Sequence, residues 1–141
     1  MILCSAVFMY IAMYFNTYRW EHVYFSWTRM YMTLIGTSAM TIIMLLFMRK
    51  MYVNKVKNAV IISCSVALMV IFTILVREQK PIDDLRWMKA MIPHHSIAIL
   101  TSNKAELNDP EVKKLARNII EAQEREIAEM KEMISRLEDK N

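Results

Sequence analysis

Residues 88–95 read Met-Lys-Ala-Met-Ile-Pro-His-His, which places two thioethers and two imidazoles within eight residues. Thioether plus imidazole is a donor set for soft monovalent metals, above all Cu(I), with Ag(I) as its close chemical analogue. On a helix, Met88, Met91 and His95 share one stripe, and His94 lies beside Met91 one turn on. Pro93 lacks a backbone N–H and frees the carbonyl of Lys89, so a kink there is expected to turn both histidines toward a common point. The same cluster also reads as core packing around a satisfied imidazole.

What faces this cluster decides between the two. Asp83 and Asp84 fit the N-cap and first turn of a helix reaching about Leu107, after Lys80-Pro81 ends the preceding one. Asn108-Asp109-Pro110 is a turn followed by proline at a first helical position, opening a helix that runs to about Glu138. Its seam reads Val112, Ala116, Ile119, Gln123, Glu126, Met130, Met133 and Leu137, with Gln123 and Glu126 as polar interruptions that need partners. In an antiparallel hairpin, counting outward from the turn sets His95 level with Ala122 and Gln123, Met91 level with Glu126, and Met88 level with Glu129 and Met130. The polar breaks of one helix thus fall opposite the Met and His residues of the other. The expected metal-site set is Met88, Met91, His94, His95 and Met130, with Met133 as a further candidate. Glu126 and Gln123 serve better as hydrogen-bond partners that fix a histidine tautomer than as ligands, since carboxylates suit harder ions.

The N-terminal half explains where such a hairpin sits. Three uncharged apolar stretches, 1–18, 30–48 and 58–76, each approach the roughly 20 residues that a membrane-spanning helix needs. The expected organisation is a membrane domain over 1–77 and a soluble hairpin over 78–141. The net charge of +4 arises from residues flanking the apolar stretches, while the segment from Arg77 on is close to neutral, so a nucleic-acid surface is excluded. The segment 49–57 carries Arg49, Lys50, Lys55 and Lys57 and is assigned to the cytoplasm. Three spans then put the N-terminus inside and the C-terminal domain outside, which in a bacterial inner membrane is the periplasm. Tyr18, Trp20, Tyr24, Phe25 and Trp27 read as an aromatic belt at headgroup level. Cys4 and Cys64 lie in apolar stretches and form no C-x-x-C pair. Strand signals are absent and the chain has a single glycine, Gly36, so the fold class is all-α.

The run Met88-x-x-Met91-Ile92-Pro93-His94-His95-x-x-Ala98-Ile99 resembles the signature of a bacterial domain-of-unknown-function family with a ferritin-like helical bundle. Asp109-Pro110-Glu111-Val112-x-x-Leu115-Ala116 and Ile119-Ile120-x-Ala122-Gln123-x-x-Glu126-Ile127-x-x-Met130 extend the resemblance over roughly residues 83–135. Asn16-Thr17-Tyr18 and Phe25-Ser26-x-Thr28-Arg29-x-Tyr31-Met32 resemble its membrane-anchored branch. The resemblance implies periplasmic binding of copper or silver in metal tolerance. Thr101 stands where the family often has methionine.

The expected function is a membrane-anchored, outward-facing Cu(I) and Ag(I) binder for buffering, sequestration or hand-over, and not an enzyme. Pairing of two hairpins into a four-helix bundle would make it a homodimer or higher oligomer in contact with lipid, with no nucleic-acid partner. A ferritin-like di-metal oxidase would need Glu-x-x-His, and here Met91 and Ile92 stand three residues before His94 and His95. The remaining alternative is a structural or sensory membrane module acting through hairpin oligomerisation, with histidines that respond to pH.

Overall fold

The computed structural model describes residues 1–48 and 50–139, so Arg49, Lys140 and Asn141 of the expected segments lie outside the described residues. The described residues are all-helical, without strands. The helices are α1 (Ile2–Ala12), α2 (Trp27–Phe47), α3 (Lys55–Glu78), α4 (Asp84–Lys104) and α5 (Pro110–Glu138), with a short 3-10 turn at Trp20–His22. They form two compact units: residues 1–13 with 27–81, and residues 14–26 with 82–139.

In the first unit α2 and α3 pack as an antiparallel pair, and α1 lies against α2. The buried face of α2 is made of Tyr31, Thr33, Thr37, Ser38, Thr41 and Leu45. Its threonine and serine hydroxyls are satisfied within the helix. Thr37 donates to the Thr33 carbonyl at 2.7 Å, and Thr41 to the Thr37 carbonyl at 2.8 Å. Small side chains that bond back to their own helix permit close helix–helix approach without an unpaired polar group, as membrane helices require. Gly36 serves the contact with α1, because a Cβ there would sit 3.0 Å from the Met9 sulfur. Along α3 only Ser65 is buried, while Val60, Ile61, Leu68, Ile71 and Ile74 are exposed. An apolar helix with an open apolar surface suits lipid, not water.

Three membrane spans were expected, and two helices have the required length and composition, Trp27–Phe47 and Lys55–Glu78. The first apolar stretch yields a helix of 11 residues. At 1.5 Å per residue this is about 16 Å long, roughly half the hydrocarbon thickness. The apolar composition continues to Tyr18, but the backbone leaves the helix at Met13. Tyr14 is buried with its hydroxyl donating to the Tyr24 carbonyl at 2.8 Å, and the chain from Tyr14 onward belongs to the second unit. A cytoplasmic N-terminus rested on the third span and loses that basis.

The second unit is the α4–α5 hairpin together with residues 14–26. Asp83 caps α4 by accepting from the Arg86 amide at 2.8 Å. Asp109 caps α5 by accepting from the Glu111 and Val112 amides at 2.8 and 3.0 Å, and Pro110 occupies the first turn. The core consists of Met88, Ile92 and Ile99 from α4 against Ile127, Met130 and Ile134 from α5. Helix α4 continues through a buried Pro93. Burial of Ile92 and Ile99 on either side of the proline offsets the lost backbone hydrogen bond. Tyr18 and Tyr24, read from sequence as part of an interfacial belt, pack inward against this core. Lys89 and Glu138 close the open end of the hairpin at 2.6 Å.

Candidate metal centre

The hairpin brings His95 of α4 to Glu126 of α5, with Nδ1 and Oε2 3.0 Å apart. This is an ion-pair distance, but the oxygen lies off the direction that a hydrogen bond requires, so the buried Nδ1 has no hydrogen-bond partner. Gln123 reaches the same carboxylate oxygen at 3.5 Å. Burial holds the His95 imidazole below the usual histidine range. The Glu126 carboxylate opposes this and the neighbouring His94 adds to it. The shift favours the neutral form of this half-buried imidazole, which is the form that metal ligation needs.

The methionines divide into two groups. Met88 and Met130 are 5% and 7% exposed and sit in one cluster with Ile92 and Ile127, and Met91 packs against that cluster. Met133 is 43% exposed and lies on the outer face of α5 beside Glu129, Glu132 and Arg136, away from the core cluster. The reason is the phase of the helix. The buried seven-residue pattern runs through Ala116, Ile120, Ile127, Met130, Ile134 and Leu137, which shares Ala116, Met130 and Leu137 with the expected seam but replaces Ile119, Glu126 and Met133 with Ile120, Ile127 and Ile134. His94 is exposed, its ring centroid 6.1 Å from that of His95 with planes at 61°. The two imidazoles are neighbours, one facing α5 and the other facing outward. Thr101 is also exposed, its hydroxyl donating to the Ile97 carbonyl at 3.0 Å.

Level counting was off by about one turn. His95 meets Glu126 rather than Gln123, because the chain between Ala105 and Asp109, both extended, is non-helical and displaces the start of α5. Extended chain advances about 3.3 Å per residue against 1.5 Å in a helix. The polar residues that interrupt the α5 seam nonetheless lie beside the α4 histidine.

Residues 14–26 add a further histidine to this unit. His22 is buried, and its Nδ1 lies 3.0 Å from the Ser96 hydroxyl one residue past His95. Ser96 is fully buried and also accepts from the Tyr18 amide at 2.9 Å. Asn103 donates to the Tyr18 hydroxyl at 3.1 Å, and Lys131 lies 3.8 Å from Glu21. Burial lowers the His22 pKa, with Lys131 acting in the same direction and Glu21 against it. Beside it is a cavity of about 260 Å³ whose lining includes Arg19, Ile99, Glu124 and Ile127. Only the position of His22 outside the apolar stretches hinted at this, since its partner lies far along the chain.

Among the described residues, no three His, Cys, Asp or Glu side chains converge on one point. Around His95 the nearby donors are the Met91 thioether, the His94 imidazole and the Glu126 carboxylate.

An apolar helix pair joined to a polar hairpin with a Met and His cluster defines an all-helical protein of two compact units. Residues 75–140 match the family described as Domain of unknown function (DUF305). An uncharacterized protein of Acanthamoeba polyphaga mimivirus is 36% identical over 107 residues, covering 74% of this chain and 68% of that protein. The chain belongs to the family of that viral protein, and its C-terminal half carries the DUF305 domain. No solved structure matches.

Proposed function

We propose that this chain is a membrane-anchored protein whose α4–α5 hairpin binds Cu(I), and Ag(I) by the same chemistry, for buffering, sequestration or hand-over. The observation that carries the reading is His95. Its Nδ1 is buried, lacks a hydrogen-bond partner, and belongs to a histidine one turn from Met91 in a unit that also holds Met88 and Met130. A buried polar atom left unsatisfied is costly, and a metal ion is one way to satisfy it. His95 and Met91 are the primary ligands, His94 approaches from the exposed side, and Glu126 with Gln123 orients the imidazole. Met88 and Met130 supply further thioethers if the core opens slightly. The ion is cargo here, and no reaction on a substrate is invoked.

The membrane reading rests on α2 and α3. If both cross, the start of α2 and the end of α3 lie on the same side of the membrane. The basic segment 49–57 then lies on the cytoplasmic side and the hairpin outside, in the periplasm of a bacterial cell. The exposed Val112 and Leu115 of α5 suit pairing of two hairpins into a four-helix bundle.

One observation favours a purely structural hairpin: Met88 and Met130 are packed among isoleucines as ordinary core residues. Metal analysis separates the two. Full-length protein purified from copper-supplemented cells is expected to retain copper after dialysis, and to gain thermal stability on anaerobic addition of Cu(I). Metal-free protein with an unchanged melting temperature would leave the structural hairpin as the better account.

A further inference from the structure

The α2–α3 pair carries a cavity at its basic end. About 600 Å³ in volume, it is lined by Lys50, Tyr52, Lys55 and Asn58 together with aliphatic side chains that include Leu45 and Ile62. The turn that forms it is well constructed. Asn54 caps α3 by accepting from the Lys57 amide at 2.9 Å, and Asn58 donates to the Tyr52 carbonyl at 2.7 Å, which folds Tyr52 back over the first turn of α3.

The sequence around this turn is basic only. No aspartate or glutamate occurs between Glu21 and Glu78, yet Arg49, Lys50, Lys55 and Lys57 fall within nine residues. Lys55 and Lys57 also sit in the first turn of α3, where the helix dipole disfavours cations. Their presence there makes sense when an anion is held nearby. The same turn exposes Phe47, Met51, Val53 and Val56, so apolar and basic side chains alternate as they do at a membrane–water interface.

We propose that this cavity is a binding site for one anionic phospholipid of the cytoplasmic leaflet. Lys50 and Lys55 hold the headgroup phosphate, and an acyl chain lies along the aliphatic lining. A free inorganic anion would match the lysines alone, whereas a phospholipid matches both the lysines and the aliphatic lining. The inference rests on α2 and α3 spanning a membrane and is independent of the metal site.

The test uses the full chain, expressed in membranes and then placed in nanodiscs of phosphatidylcholine with a minor fraction of phosphatidylglycerol. Lipid retained after delipidation in mild detergent is identified by native mass spectrometry. Retention of phosphatidylglycerol over phosphatidylcholine is expected. A lysine near an anionic surface strengthens the attraction roughly five-fold, so the K50Q/K55Q double variant should lose most of the preference. Equal retention of the two lipids, an unchanged preference in K50Q/K55Q, or displacement of the lipid by millimolar inorganic phosphate would overturn the site. Carbonate extraction of the parent from cell membranes is run alongside. A chain released by carbonate fails the spanning reading itself. A chain that stays in the membrane without lipid preference fails only the site.

Discussion

His95 Nδ1 and Glu126 Oε2 lie 3.0 Å apart across the α4–α5 hairpin without forming a hydrogen bond. Proximity without satisfaction leaves the imidazole nitrogen available, and it makes the pair sensitive to pH and to substitution.

Acidification should weaken the second unit. His95 and His22 are both held below the ordinary histidine value, chiefly by burial. The unfolded chain therefore takes up protons from about pH 6.5 downward while the native state resists them, so the stability tied to these groups is present above that pH. It is lost as pH falls from there through the lowered native values. The thermal midpoint followed from pH 7.5 to 5 should decline, and His22→Asn combined with His95→Gln should flatten the decline. A midpoint independent of pH over that range would contradict the assignment.

Ser96 ties residues 14–26 to α4 through the Tyr18 amide and His22. Ser96→Ala leaves those buried partners unsatisfied at a cost of about 1–3 kcal/mol. Hydrogen exchange at the Tyr18 amide should accelerate markedly, while amides in the middle of α5 change little. Unchanged protection at Tyr18 would show that the segment is held by other contacts.

Oligomerisation should depend on the outer stripe of α5. Leu115 is 58% exposed and Val112 45%, both too apolar to remain in water along a long helix. Full-length protein in detergent is expected to sediment as a dimer or larger species, and Leu115→Glu to shift it toward monomer. A parent that is monomeric at high micromolar concentration would remove the four-helix bundle.

Orientation is open to labelling. With Cys4 and Cys64 replaced by serine, a cysteine at Ser135 should react with an impermeant maleimide on intact cells. Reaction only after lysis would place the hairpin in the cytoplasm.

Much of this architecture was legible from local chemistry. Asp83, Asp109 and Pro110 announce helix starts because capping is decided within a few residues. The hairpin followed from its turn residues, and counting along its helices brought the polar breaks of α5 to the Met and His cluster, though one turn away from the observed His95–Glu126 pairing. What escaped depends on contacts distant in sequence. The first apolar stretch is uniform in composition, and α1 ends early where Tyr14 bonds the Tyr24 carbonyl and Arg29 donates to the Met13 carbonyl, partners distant in sequence. The α5 seam was read one position out at Glu126 and Met133, because two overlapping seven-residue patterns share Ala116, Met130 and Leu137. Packing against Ile92 and Ile99 selects the one with Ile127 and Ile134. His22 gave no local sign of its bond to Ser96.

The central claim is that His95 and Met91 hold a soft metal ion, and competitive Cu(I) titration tests it most directly. Met91→Leu conserves volume and should cost less than about 1.5 kcal/mol in stability. Its Cu(I) affinity should nevertheless fall roughly tenfold or more, since loss of even an orienting partner has an effect of that size. His95→Ala should weaken binding further, His94→Ala less, and Glu126→Gln least. Zn(II) should bind more weakly than Cu(I) throughout, because thioethers suit it poorly. Met91→Leu and His95→Ala proteins that fold normally and bind Cu(I) as tightly as the parent would contradict the account and return the cluster to core packing.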